Sequence, residues 1–282
     1  MKLKFKLMTF LLPMMLGPLH SSNVAAQTPT SELRFGSVAM DIPAVMHRRL
    51  TPLIKYLSET LSMPVSLKLS PNMPSAVGEV ATGGVELAYL TPVAYINAYE
   101  KGKVSLVVKT ITEGHPAFQL MIVVHKDSPI RTIDDLAGKT FAFGDKAAIL
   151  QRATVVNAGM PLEKLSSYKF IGHYDNIAQG VLSGDFAAGI VKDTTAVAWE
   201  KKGLRVLYSS PELPPYNISA KADMDGVLLE KIRRAFLALD PKKPQHQEII
   251  SALDPSYTGF AATSDAEYDI VRKLIAPFKG EK

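Results

Sequence analysis

The run GVELAYLTPVAYINAY, beginning at Gly84, constrains the fold more than any other stretch of the chain. Val85-Glu86-Leu87-Ala88-Tyr89-Leu90 is short and mostly apolar, as a buried strand is, and Thr91-Pro92 breaks it because a residue before proline is pushed out of helical backbone. Pro92 suits the first turn of a new helix, where its missing N–H costs nothing, and Thr91 is a good N-cap. In an open α/β sheet such a junction is where ligands bind, since amide donors and the positive end of the helix converge there. Tyr89 and Tyr95 are expected to flank it, each offering an apolar wall and a hydroxyl. The same two residues also read as packing residues of an ordinary strand-turn-helix.

Strand and helix patterns repeat on both sides of that junction. Residues 33–38 read as a first strand. Pro43 opens a helix with apolar residues at helical spacing, kinked at Pro52, and 65–69 is a second strand. A short helix capped by Ser75 and ended at Gly83-Gly84 leads into the third strand, completing βαβαβ, the pattern of a mostly parallel sheet with helices on its faces. After a strand at 104–110 comes a long apolar strand at 118–124. A second βαβαβ set occupies about 130–202, with strands at 140–143, 168–171 and 186–191 and helices that Asp175 and Asp193-Thr194 are placed to cap. A strand at 204–209 and an extended piece at 216–220, paired with 118–124, return the chain to the first set. The tail is helical at 227–239, 245–253 and 266–278, with a break at Gly259. The fold class is therefore α/β, in two lobes with a ligand cleft between them. Lobe one is 27–127, lobe two is 128–203, and 204–282 completes lobe one.

Residues 1–26 stand outside this fold. Lys2, Lys4 and Lys6, an apolar segment through Leu19 and the small residues Val24-Ala25-Ala26 have the makeup of a cleavable secretory signal peptide. The apolar segment is broken by Pro13 and Pro18 and falls short of a membrane span. The chain has no cysteine, so an exported form has neither disulfides nor an acylated cysteine, and a free periplasmic protein is expected. The leader's three lysines make up most of the formal net charge of +5, and the balanced remainder gives no reason to invoke nucleic acid. His47, His115, His125 and His246 show no metal-binding spacing, and the chain carries no G-x-S-x-G, G-x-x-x-x-G-K-[ST] or G-x-G-x-x-G. Neither a metal nor another cofactor is expected.

The succession LRFG at Leu33, RLTPLIKYLSETL at Arg49, VSLKL at Val65, GGVELAYLTPVAYINAYEKG at Gly83, LMIVVHKDSPIRTIDDLAGKTFAFGD at Leu120 and the strand end Gly172-His173 resembles the phosphate/phosphite/phosphonate-binding family of periplasmic solute-binding proteins of ABC transporters. The resemblance implies a type II periplasmic-binding fold and capture of a small oxyanion or phosphonate by lobe closure. It also implies delivery to an inner-membrane ABC permease, with no catalysis and a monomeric protein. Tyr89, Thr91 and Tyr95 match the family's lobe-one pocket, and Met40 follows the first strand where family members line the cleft. Phe118 lies where the crossing strand passes the ligand, Asp145, Lys146, Ala147 and Ala148 form the helix mouth of lobe two, and His173 sits at a strand end. Lys192 and Asp193 end the next strand, either of them facing the ligand, and Tyr216 closes the rim.

One departure stands out. Phosphonate-binding members carry Ser-Thr-Ser-Gly after the Phe-Gly-Asp turn, whereas this chain has Lys146-Ala147-Ala148-Ile149. Each lost hydroxyl removes a charge-assisted hydrogen bond of roughly 1.5–3 kcal/mol. The alternative reading is a periplasmic sensory receptor with a non-phosphonate ligand, feeding a membrane-bound kinase or cyclase. An exported enzyme ranks third, since no nucleophile–base pair is evident.

Overall fold

The structure is a computed structural model that describes residues 32–38 and 43–280. The leader expected at 1–26, and Met40, lie outside the described residues.

Two sheets carry the fold. In the first, β1 (Leu33–Val38) lies between β2 (Val65–Ser70) and β3 (Leu87–Leu90), all parallel. Beyond β3 come β10 (Asn217–Ala220), β4 (Ser105–Thr112) and the edge strand β11 (Tyr257–Ala261), with β10 antiparallel to both its neighbours. Alternation along the strands separates two apolar faces. Phe35, Leu87 and Ile218 pack under α1 (Pro43–Leu61), α7 (Gly226–Leu237) and α8 (Pro244–Leu253), while Ala88 and Leu90 face α2 (Met73–Ala81) and α3 (Pro92–Gly102). Asn72, not Ser75, caps α2. Its side chain accepts from the Ser75 amide, which lets the helix begin earlier, with a proline in its first turn where no amide is lost.

In the second sheet β6 (Thr140–Phe143) lies between β7 (Ser167–Phe170) and β8 (Ala188–Lys192), all parallel. β5 (Leu120–His125) runs antiparallel to β8, and β9 (Leu204–Ser209) antiparallel to β5 at the edge. The pairing of 118–124 with 216–220 is therefore not formed. The two extended pieces sit in different sheets, and so does 204–209 relative to the first set. The physical reason is visible in β5: Leu120, Ile122 and Val124 enter one apolar cluster and Val123 the other, so the strand buries both faces and needs helices on both sides. The chain crosses between sheets at 117–119 and 210–216, where Phe118 and Leu213 form a single backbone bridge.

The tail is shorter in helix than the pattern 266–278 suggests: α9 (Asp269–Ile275) sits between two single 3₁₀ turns. Val271, Leu274 and Ile275 share one apolar cluster with Ala94 and Tyr95 of α3 and with Leu150 and Ala153 of α4 (Ile149–Asn157). The Asn157 amide donates to the Leu274 carbonyl at 3.2 Å. The tail therefore touches helices of both sheets.

Three ion pairs hold carboxylates of the first sheet and the tail, two of them between parts of the chain far apart in sequence. Glu86 takes a two-pronged contact from the Arg34 guanidinium (2.7 and 3.0 Å), Asp265 is paired with Arg272, and Glu267 with Lys109. Partial burial pushes each carboxyl up, but hydrogen bonds from the partner cation and neighbouring donors outweigh it and hold all three below their ordinary range. Carboxylates with lowered native pKa contribute stability that is complete above the unfolded value and lost as pH falls through the native one. The urea midpoint is expected to stay level from neutral pH down to about pH 5 and to fall below about pH 4. A level midpoint down to about pH 3 would show that these pairs contribute nothing.

Candidate functional site

Four of the strand ends that lead into helices carry residues expected at the site, the arrangement that gathers ligands in α/β sheets. β3 runs into Thr91, whose hydroxyl accepts from the Ala94 amide at 3.2 Å and so caps α3, with Pro92 in its first turn. β6 ends in the turn Gly144–Ala148 before α4. β7 ends in Gly172-His173 before α5 (Tyr174–Leu182), and β8 runs directly into α6 (Asp193–Glu200).

In lobe one Tyr89 and Tyr95 part company. Tyr89 is buried on the α1 face, its hydroxyl 2.6 Å from that of Tyr257 and its ring 5.1 Å from that of Tyr216. Tyr95 is buried on the opposite face, against Tyr268 at 4.5 Å, and its hydroxyl donates to Asp265 at 2.6 Å. The two therefore do not flank one mouth together. Burial, and then the neighbouring tyrosines, push the Tyr89 and Tyr216 hydroxyls well up; Tyr257, also buried, is pushed up to about 12. These hydroxyls stay protonated near neutral pH, and in the Tyr89–Tyr257 contact one donates while the other accepts.

The crossing segment gathers Phe118, Lys192 and Asp193. The Lys192 ammonium lies 5.7 Å from the Phe118 ring centroid. One Asp193 carboxylate oxygen accepts from the Gln119 amide and the other from Thr194, both at 2.8 Å, while the Asp193 amide donates back to the Gln119 carbonyl at 3.0 Å. Both side chains thus face the crossing segment. Beside them is an open cavity of about 420 Å³ lined in part by His115, Phe118, Gln119, Asp193, Thr194 and Glu212.

At the mouth of α4, Asp145 and Lys146 are exposed. The Asp145 carboxylate accepts from the Ala147 amide at 2.7 Å and its carbonyl from the Ala148 amide at 2.9 Å, and no side chain caps the helix. His173 is exposed at the N-cap position of α5, where its carbonyl, not its ring, receives the first helical amides. Asp175, expected as that cap, instead accepts from the Trp199 indole at 2.8 Å.

Sequence reasoning missed three residues. Tyr257 was hidden in a supposed helix break. Tyr174 adjoins His173 at the start of α5, and Gln151, a polar residue buried on α4, accepts from the Gly144 amide at 2.7 Å. Only Gln151 left a signal, as a long amide among the mostly small or apolar residues that α4 buries. Among the described residues no group of His, Cys, Asp and Glu is arranged to hold a metal ion, and no helix is long and apolar enough to cross a membrane.

Residues 35–268 match the family described as "ABC transporter, phosphonate, periplasmic substrate-binding protein". The "Phosphonates-binding periplasmic protein" of Escherichia coli (strain K12) is 22% identical over 280 residues, covering 94% of this chain and 80% of that protein. Among solved structures, XAC2383 from Xanthomonas citri bound to chloride ion superposes with a TM-score of 0.72 at 18% identity, covering 87% of this chain and 96% of that one. PhnD1 from Prochlorococcus marinus (MIT 9301) in complex with methylphosphonate gives 0.70 at 19% identity, covering 88% and 98%. At such identities the structures establish the fold, the two-lobe type II periplasmic-binding fold. With a family match that runs through both sheets, the chain belongs to the phosphonate periplasmic substrate-binding proteins of ABC transporters.

Proposed function

We propose that the mature protein, freed of its leader, captures a small phosphonate or related phosphorus oxyanion between its lobes and presents the closed form to an ABC permease. It works as a monomer and performs no chemistry on its ligand. The observation that carries this reading is the family match over residues 35–268, which runs from within β1 to the turn before α9. The strand ends support it: they offer helix starts and the ammonium groups of Lys146 and Lys192, a donor set suited to an anion. We take the lobe boundary to lie at the Phe118–Leu213 bridge rather than at 127 and 203. The ligand faces Lys146–Ala148 and His173 from lobe two and the Thr91 end of β3 and Tyr216 from lobe one.

Calorimetric titration of the mature protein with phosphate, phosphite, methylphosphonate and 2-aminoethylphosphonate tests the reading. At least one is expected to bind in the micromolar range or tighter. Folded protein that takes none of the four, and that co-purifies with a solute lacking phosphorus, would overturn it.

A further inference from the structure

The two sheets share an apolar cluster on one side. It runs from Ala88 and Leu90 of the first sheet through α3, α9 and α4 to Ile122 and Phe141 of the second, and both crossing segments enter it, through Phe118 and Leu213. The other faces are covered separately, by α1, α7 and α8 on the first sheet and by α5 and α6 on the second. The open cavity of about 420 Å³ is on the α6 side, with Thr112 and His115 from the end of β4 in one wall and Asp193, Thr194 and Val197 of α6 in the other. Phe118 packs against the shared cluster and also lines the cavity, so the crossing segment separates the two.

The tail is fastened to the two lobes differently. Directional bonds hold it to lobe one: Glu267 is paired with Lys109 of β4, the Tyr95 hydroxyl of α3 donates to Asp265 at 2.6 Å, and the Lys279 ammonium donates to Glu100 of α3 at 2.7 Å. Its contact with lobe two is apolar. Leu274, Ile275 and Phe278 share the cluster with Leu150 and Ala153 of α4, the Phe278 ring lies 5.6 Å from the Arg152 guanidinium, and the Asn157 amide donates to the Leu274 carbonyl. Apolar contact has no direction and yields to sliding, whereas ion pairs and hydrogen bonds fix position. The surface of α4 is therefore where the tail gives way when the lobes move.

Two bodies joined by a narrow crossing, with a gap on one side and a packed contact on the other, work as a lever. Turning them to narrow the gap pulls the packed side apart, and that side resists because separated atoms lose their dispersion partners. We propose that α9 and the 3₁₀ turn Ala276–Phe278 form a brace behind the crossing segments, whose grip on α4 opposes lobe closure and so sets how tightly a ligand is held. The inference rests on the proposed function, since closure over a bound oxyanion is the motion the brace opposes. Apparent affinity is then the intrinsic affinity of the closed form reduced by the fraction of molecules that close, and weakening the brace raises that fraction.

Two substitutions at the grip test this by calorimetric titration with methylphosphonate. Asn157→Ala removes the hydrogen bond to the tail, and Phe278→Ala removes its last apolar contact with α4. Asn157→Ala is expected to bind roughly fivefold tighter than wild type, and Phe278→Ala tighter still, each at wild-type stoichiometry although both melt at lower temperature. Damage to the fold alone does not produce that combination. Arg34→Met, which breaks the pair with Glu86 at the start of β1, is the control: it should lower the melting temperature and leave affinity unchanged. Wild-type or weaker affinity in both grip variants would overturn the brace and leave the proposed function standing. Wild-type protein that takes none of methylphosphonate, phosphate, phosphite and 2-aminoethylphosphonate would overturn the proposed function, and the brace is then judged by small-angle X-ray scattering of the unliganded proteins. A smaller radius of gyration than wild type is expected in both grip variants, and an unchanged radius in both would overturn the brace.

Discussion

Replacing Gly102 by alanine is expected to cost about 3 kcal/mol or more, seen as a fall of about 6–12 °C in melting temperature. Gly102 closes α3 where that helix crosses α2. A Cβ built there lies 2.7 Å from both the Cα and the carbonyl carbon of Ala81, and closer still to its oxygen. These are backbone atoms, which cannot swing aside as a side-chain tip can, so the two helices must part. Parting them opens the cluster formed by Val77, Val80, Ala94 and Ala98. Gly226, the first residue of α7, is the control. A Cβ there meets nothing within 4 Å and φ is not positive, so Gly226→Ala should be neutral or slightly stabilising. Equal losses at the two positions would show that glycine entropy, not the close helix contact, decides the outcome.

Asp265→Ala is expected to destabilise the protein by about 2 kcal/mol, measured as a lowered urea midpoint with unchanged slope. The carboxylate accepts from the buried Tyr95 hydroxyl and from Arg272, so its removal strands a phenol inside the apolar cluster. Arg272 suffers less, because Asp269 remains within 2.9 Å. Tyr95→Phe is the telling companion: it leaves the Asp265–Arg272 pair in place and should cost less than Asp265→Ala. It should also leave ligand affinity unchanged, because the hydroxyl is already engaged on the face of the sheet away from Tyr89 and Tyr216. A large loss of affinity in Tyr95→Phe would return this residue to the ligand pocket.

The local elements were legible in the sequence because their signals are local. Thr91-Pro92 marks the start of α3 through the backbone preference of a pre-proline residue and a side-chain cap, and both are seen. The apolar run 120–124 announces a strand equally well, but not which strands lie beside it. Pairing is a contact between residues far apart in sequence, and β5 found its place between β8 and β9 because two helical layers there cover both its faces.

The site was less legible, since side-chain direction depends on position within an element as much as on residue type. Tyr89 and Tyr95 stand six residues apart, one on a strand and one on the following helix, and the sheet separates them. Asp175 carries the right chemistry for a cap, but a partner on a neighbouring helix, the Trp199 indole, takes its carboxylate. Gln151 shows the reverse. Its type says surface, and only the turn at Gly144, with no Cβ to fill the space, explains why it is inside.

The placement of α9 has a thermodynamic corollary. Jaws joined only by two thin strands of chain could melt one at a time, each with its own oily interior. Here Val271, Leu274 and Ile275 belong to a seam that continues from α3 into α4, and Asn157 is tied to the Leu274 carbonyl across it. Loosening either jaw therefore wets part of the other, and the energy of the seam is shared, which couples the two into one cooperative body.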